Sequence, residues 1–179
     1  MTVKQATEAE KKATSELLCP SSQPQPGARI FGMKRATPGG DRIGYFSEAI
    51  PATPDALALP APALPTEVFR LAAPCAERRC SHFDGAQCQL GHRIAAMLGP
   101  VVRGLPACAI RPTCRWFREH GKAVCLRCPQ VVTDIREVTE FQRELAGIDP
   151  IEVQPASPDG CDARHKARPS RQDIPPDAR

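Results

Sequence analysis

The sequence predicts a small α+β domain between two unstructured ends. Three observations carry that expectation. Apolar residues concentrate between Arg29 and Gly147, while both ends are polar. Ile30, Phe31 and Met33, then Ile43, Tyr45 and Phe46, flank the turn signal Pro38-Gly39-Gly40-Asp41 and read as an antiparallel hairpin. Further on, short segments repeat apolar residues at helical spacing. The 179 residues include 20 prolines and 12 glycines and are only 4% aromatic, which limits the chain to one modest core. A domain of roughly 100–120 residues can bury a core alone, but one this poor in aromatics gains from a staple. The expected division is a disordered tail over 1–28, a folded domain over 29–147, and a disordered, basic, proline-rich tail over 148–179.

Taken in order, KKATSELL near the N-terminus offers a turn or two of frayed helix, too short to persist unpacked. SSQPQPG then reads as a spacer, and Cys19 before it as either a thiol in a tail or a remote ligand folded back over the core. The hairpin cannot stand alone and must lie against other elements. Prolines break residues 50–65 into a connector, with a short helix expected where Thr53 precedes Pro54. Thr66 is the expected cap of a helix over TEVFRLAA that turns Val68, Phe69 and Leu71 inward and stops at Pro74. Asp84-Gly85 marks a turn. Leu90, Ile94, Met97 and Leu98 then mark an amphipathic helix that Pro100 stops or bends. Pro112 and Thr113 open a helix of about two turns, closed by Gly121, with Trp116 and Phe117 in the core. Asp134 and Glu137 have capping-box spacing, and the helix after them shares Ile135, Val138, Phe141 or Gln142, and Leu145 on one face before Gly147. The sum is a β-hairpin plus three to four short helices.

The staple is legible in the cysteines. Seven of nine fall in residues 75–129, spaced Cys75-x4-Cys80-x7-Cys88 and Cys108-x5-Cys114-x10-Cys125-x2-Cys128. One or two cysteines pass as small buried hydrophobes, but seven in one stretch need a chemical reason. The N-terminus lacks the apolar run of a secretory signal, and no stretch of about 18 apolar residues exists to cross a membrane. A cytoplasmic, reducing compartment is therefore expected, where clustered thiols bind metal far more often than they pair as disulfides. An odd total also fits full pairing poorly.

Cys125-Leu-Arg-Cys128-Pro is the sharpest piece. Two thiolates at x2 spacing chelate one centre from a single turn, in zinc knuckles and in iron–sulfur proteins alike. With Cys108 and Cys114 close before it, four thiolates form one expected cofactor set: Cys108, Cys114, Cys125 and Cys128. Cys75, Cys80 and Cys88 form a second metal set that lacks an obvious fourth ligand; His82, His92 or Cys19 could supply it, or a cluster could keep an open iron site. Cys161 reads as incidental. Arg78, Arg79, Arg93, Arg103, Arg111, Arg115, Arg118, Lys122 and Arg127 outnumber Glu77, Asp84 and Glu119 around these sets. They suit an anionic thiolate centre, whose charge they offset, or a basic face for nucleic acid or an acidic protein.

The run Cys108-Ala-Ile-Arg-Pro-Thr-Cys114-Arg-Trp-Phe, with Glu119, Gly121, Ala123 and Cys125-Leu-Arg-Cys128-Pro-Gln-Val-Val-Thr, resembles a family of short bacterial cysteine-rich proteins. Its members are uncharacterised or carry a nitrogen-fixation label, and the resemblance extends over about residues 29–133 through PTEVFR and HFDG-x2-C. The Cys, Arg-Pro and Cys-Arg-x-Phe pattern is also similar to a family of zinc- or iron-chelating domains, with a shorter first gap here. Both resemblances imply a metal without implying which. The expected function is iron–sulfur binding, 4Fe-4S above others, in electron transfer, redox sensing or cluster handling, with a redox or acidic protein partner. The alternative is a structural zinc module offering a basic surface to nucleic acid or an acidic partner. A cysteine-dependent enzyme ranks last, because no His or Asp is placed to single out one thiolate.

Overall fold

The computed structural model describes residues 17–148. The N-terminal helix expected within KKATSELL lies almost wholly outside them, as do Cys161 and the C-terminal tail. The protein is α+β. Four strands, β1 (Leu18–Cys19), β2 (Arg29–Arg35), β3 (Arg42–Pro51) and β4 (Phe69–Pro74), form one antiparallel sheet in the order β1-β4-β2-β3. Five short α-helices accompany it among the described residues: α1 (Pro54–Ala58), α2 (Pro65–Val68), α3 (Gln89–Met97), α4 (Arg115–Cys125) and α5 (Glu140–Ala146). Single 3-10 turns cover Glu77–Arg79, Arg111–Thr113 and Cys128–Gln130.

The hairpin forms where the turn signal places it, with Arg35 opposite Arg42 and Gly32 opposite Tyr45. The register slips between Ile30 and Gly32 against both neighbouring strands. The cover the hairpin needs on one side comes from β4, and here the structure corrects the expectation. TEVFRLAA is not a helix beyond its first turn. Pro65 starts α2 and the Glu67 carboxylate accepts the Leu64 amide, but from Phe69 the chain extends into an interior strand. Both faces of that strand are buried, so polar residues do not alternate along it and its sequence carries little strand signature.

The two faces of the sheet serve different layers. Ile30, Phe69 and Leu71 point to one side, where Ala56 and Leu57 of α1 cover them. Thr53 caps α1 by accepting the Ala56 amide, as the Thr-Pro signal predicts. Phe31 and Ala72 point to the other side, onto Cys88, Ile94, Ile110, Cys114, Trp116 and Val124. That second layer holds nearly all the cysteine chemistry.

Arg70 organises it. The residue is fully buried, and its guanidinium donates to the carbonyls of Pro20 and Val131. It lies 5.9 Å from the Phe31 ring centroid and 5.7 Å from that of Trp116. One central-strand cation thus ties residues before β2 and residues after Cys128 to the sheet, a geometry that charge-assisted bonds hold well.

Two other boundaries move. The part of the expected N-terminal tail within the described residues is built into the domain: β1 pairs with β4, Pro20 is fully buried, and Ser22 is buried with its amide on the Leu71 carbonyl. The last helix begins at Glu140, not beside Asp134, with Thr139 and Gln142 forming the capping box. Asp134 is engaged elsewhere: its amide meets the Thr66 carbonyl and its carboxylate accepts from Gln23. Arg136 grips the Glu67 carboxylate with two nitrogens. Gly147 ends α5 in the left-handed conformation, and Arg93 of α3 donates to the exposed carbonyls of Leu145 and Ala146.

Candidate metal centre

Cys108, Cys114, Cys125 and Cys128 come from two turns and the two ends of one helix. Cys114 is the N-cap of α4, just after the 3-10 turn Arg111–Thr113. The helix breaks at Gly121, whose φ of 56° and ψ of −138° only glycine adopts at little cost, and resumes for one turn to end at Cys125. Cys128 then opens the 3-10 turn that contains buried Pro129. All four thiols line one cavity, closed by Pro20, Phe31 and Tyr45 from the sheet side and by Arg111 and Trp116 from the helix side. Its free interior is small, about 20 Å³.

The thiols share one electrostatic neighbourhood. Burial pushes Cys114 up to about 12; Cys128, Cys108 and Cys125 push the same way, and the Phe117 amide opposes them. Cys108 is raised by burial against the opposing amides of Ile110 and Arg111, and Cys125 by burial and by Cys128 against Arg111. Buried, mutually repelling thiols do not ionise together in isolation. A cation among them reverses that, because binding it drives the protons off.

Two buried donors face the same neighbourhood. The Tyr45 hydroxyl lies beside the Cys128 thiol and the Arg111 guanidinium beside the Cys125 thiol, and neither Tyr45 Oη nor Arg111 Nε makes a well-formed hydrogen bond. Burial and the nearby Cys128 thiol raise the Tyr45 hydroxyl, and Arg111 acts on Cys125. Orphaned buried donors cost about 1–3 kcal/mol each. A thiolate-ligated, anionic group would give both an acceptor, so the residues present fit one.

Among the described residues, no group of three or more Cys, His, Asp or Glu side chains is placed to hold a metal ion. A tetrahedral zinc about 2.3 Å from each sulfur would need the sulfurs about 3.8 Å apart.

Of the earlier cysteines, the Cys19 thiol is pushed up to about 11 by burial and raised further by Cys75, Cys88 and Cys80. His82 lines a groove with Leu90, Ile94 and Leu145, its pKa lowered by burial and by the charge of Arg93. His92 is exposed, its ring 5.8 Å from that of His120. All eight cysteines among the described residues are free thiols.

The arginine surplus divides. Arg93, Arg111 and Arg127 donate to backbone carbonyls, and buried Arg115 pairs with Glu77 and Glu119. Arg78, Arg79, Arg103, Arg118 and Lys122 are exposed. Sequence reasoning missed Tyr45 and Arg70 as parts of the site, since nothing local marks either one. In comparisons with known proteins, no family model, no curated protein and no solved structure matches the chain.

Proposed function

We propose that the protein binds an iron–sulfur cluster through Cys108, Cys114, Cys125 and Cys128 and serves in electron transfer, redox sensing or cluster handling. The observation that carries the reading is four thiols around one cavity whose wall also holds the Tyr45 hydroxyl and the Arg111 guanidinium. When bound, such a cluster supplies one-electron redox chemistry. The chain's own residues would do the rest. Phe31, Pro20, Ile110 and Val124 keep the cavity wall apolar. The amides of Ile110, Arg111 and Phe117 act on the Cys108 and Cys114 sulfurs, and Arg70 and Arg111 offset negative charge.

The visible spectrum of protein purified without oxygen tests this. The expected result is a brown protein whose charge-transfer absorbance bleaches with dithionite and is lost when Cys125 and Cys128 are both changed to Ser. A colourless, air-stable protein holding stoichiometric zinc would overturn it. The exposed Arg78, Arg79, Arg103, Arg118 and Lys122 would then make salt-dependent binding to nucleic acid the next property to measure.

A further inference from the structure

We propose that the outer side of the thiol cavity, where Arg103, Arg111, Lys122 and Arg127 surround Leu105, is a docking surface for the acidic face of a redox protein. The proposal rests on the reading above for what passes between the partners, and on separate observations for the surface itself.

The sequence sets up the charge. From Leu98 to Thr133 the chain carries the cations Arg103, Arg111, Arg115, Arg118, Lys122 and Arg127 but a single acid, Glu119. That acid is already engaged within the fold, where it accepts from Arg115 and from the Cys88 amide. Arg115 is buried and takes no part in the surface. Arg103, Arg111, Lys122 and Arg127 pair with no carboxylate among the described residues. Unbalanced charge of one sign attracts a partner of the other sign and steers its approach.

Backbone bonds bring the four cations to one place. The Val101 amide donates to the Leu126 carbonyl at 2.9 Å, so the loop that carries Arg103 lies against the end of α4. Gln130, just past Cys128, ties the same loop by donating to the Gly99 carbonyl at 2.7 Å. Lys122 is one turn before Leu126, whose amide meets the Lys122 carbonyl at 3.1 Å. The Arg127 guanidinium reaches back to the Ala123 carbonyl at 2.7 Å and across to that of Leu98. Arg111 closes the loop from the other flank by donating to the Pro106 carbonyl, and both residues line the cavity.

The thiols open on this side. Cys114 is buried, whereas Cys108, Cys125 and Cys128 are partly exposed. Lys122 precedes Cys125 by three residues, and Arg127 lies between Cys125 and Cys128. Leu105 is 43% exposed beside cavity-lining Pro106, which gives the surface an apolar centre. An apolar centre with a charged rim suits a protein partner. Nucleic acid is less well served, because no ring in this stretch is free for a base to stack on. Trp116 is buried, and Phe117 is half-buried with the Arg111 guanidinium 5.9 Å from its centroid.

Binding of fluorescently labelled flavodoxin, an acidic redox protein, tests the proposal by anisotropy on the full chain purified without oxygen, with a labelled DNA duplex in parallel. The expected result is binding that weakens about tenfold from low to physiological salt. Arg103→Glu with Lys122→Glu, both exposed and outside the thiol set, should weaken it by at least about tenfold while the visible spectrum and melting temperature stay unchanged. The same charge reversal at exposed Arg78 and Arg79, in the turn before Cys80, should leave it nearly unaltered. Flavodoxin binding that ignores Arg103 and Lys122, or falls equally with Arg78 and Arg79, would overturn the surface. Tighter binding of the duplex would also overturn it and assign the cations to nucleic acid. The metal is read separately, from the colour. A brown protein whose binding ignores Arg103 and Lys122 keeps the cluster and loses the surface; a colourless zinc protein that binds through them keeps the surface and loses the cluster.

Discussion

At the scale of single residues, the site is defined by donors that wait for an acceptor as much as by its sulfurs. Tyr45 shows this best. Its ring stacks on Phe31 with centroids 5.8 Å apart, yet its buried hydroxyl makes no well-formed hydrogen bond. Without metal, Tyr45→Phe should cost nothing, or stabilise by about 1 kcal/mol, because an unsatisfied hydroxyl is removed. With a cluster bound, the same change removes a donor beside Cys128, and hydrogen bonds to cluster sulfurs favour the reduced, more negative state. The reduction potential of the loaded variant should therefore fall. Denaturation of the metal-free protein and a redox titration of the loaded one check the pair. A metal-free variant that loses stability, with an unmoved potential, would show that the hydroxyl serves the fold and not the centre.

At the scale of elements, the crossing of α3 on α4 sets where Trp116 lies. Gly91 makes the close approach possible: a Cβ there would sit 2.8 Å from Trp116 Cδ1 and 3.2 Å from His120 Cδ2. Gly91→Ala gains helix propensity, about 1 kcal/mol, but overpacking costs typically 1–3 kcal/mol, and here the contact is with a fully buried indole. A net loss of about 1–2 kcal/mol is expected in thermal or urea melts. Retention of parental stability would mean that the two helices separate more freely than their packing implies.

The elements also divide by how far the sequence announces them. The hairpin, α1 and α3 were legible because each has a local signal: a Pro-Gly-Gly-Asp turn, a Thr-Pro start and a helical apolar stripe; Gly121, expected to close α4, only kinks it, and the helix resumes to Cys125. β4 was not, since Thr66 and Pro65 do start a helical turn and only pairing with β1 and β2 makes Phe69 onward a strand. Cys19 was weighed as a remote ligand but set among tail residues, because its place depends on pairing across more than fifty residues of chain. The spacing singles out Cys108, Cys114, Cys125 and Cys128, which do line one cavity; the rest of its wall, from Pro20, Phe31 and Tyr45, needed the sheet to be in place.

For the whole molecule, the account is of a thin α+β domain whose second layer is built around thiols. Burial on that side rests on Phe31, Ile94, Ile110, Trp116 and Val124, and it must also cover Arg70, Arg115 and the sulfurs of Cys88, Cys108, Cys114, Cys125 and Cys128. If the proposed centre forms, metal binding would supply a large part of the folding free energy, because its ligands come from separated turns that no single element holds. No helix among the described residues is long and apolar enough to cross a membrane. The central claim is the cluster, and the most direct measurement is a joint assay of iron, acid-labile sulfide and zinc on one sample purified without oxygen. The account predicts iron and sulfide in equal amounts, with zinc absent. Stoichiometric zinc without sulfide would contradict it.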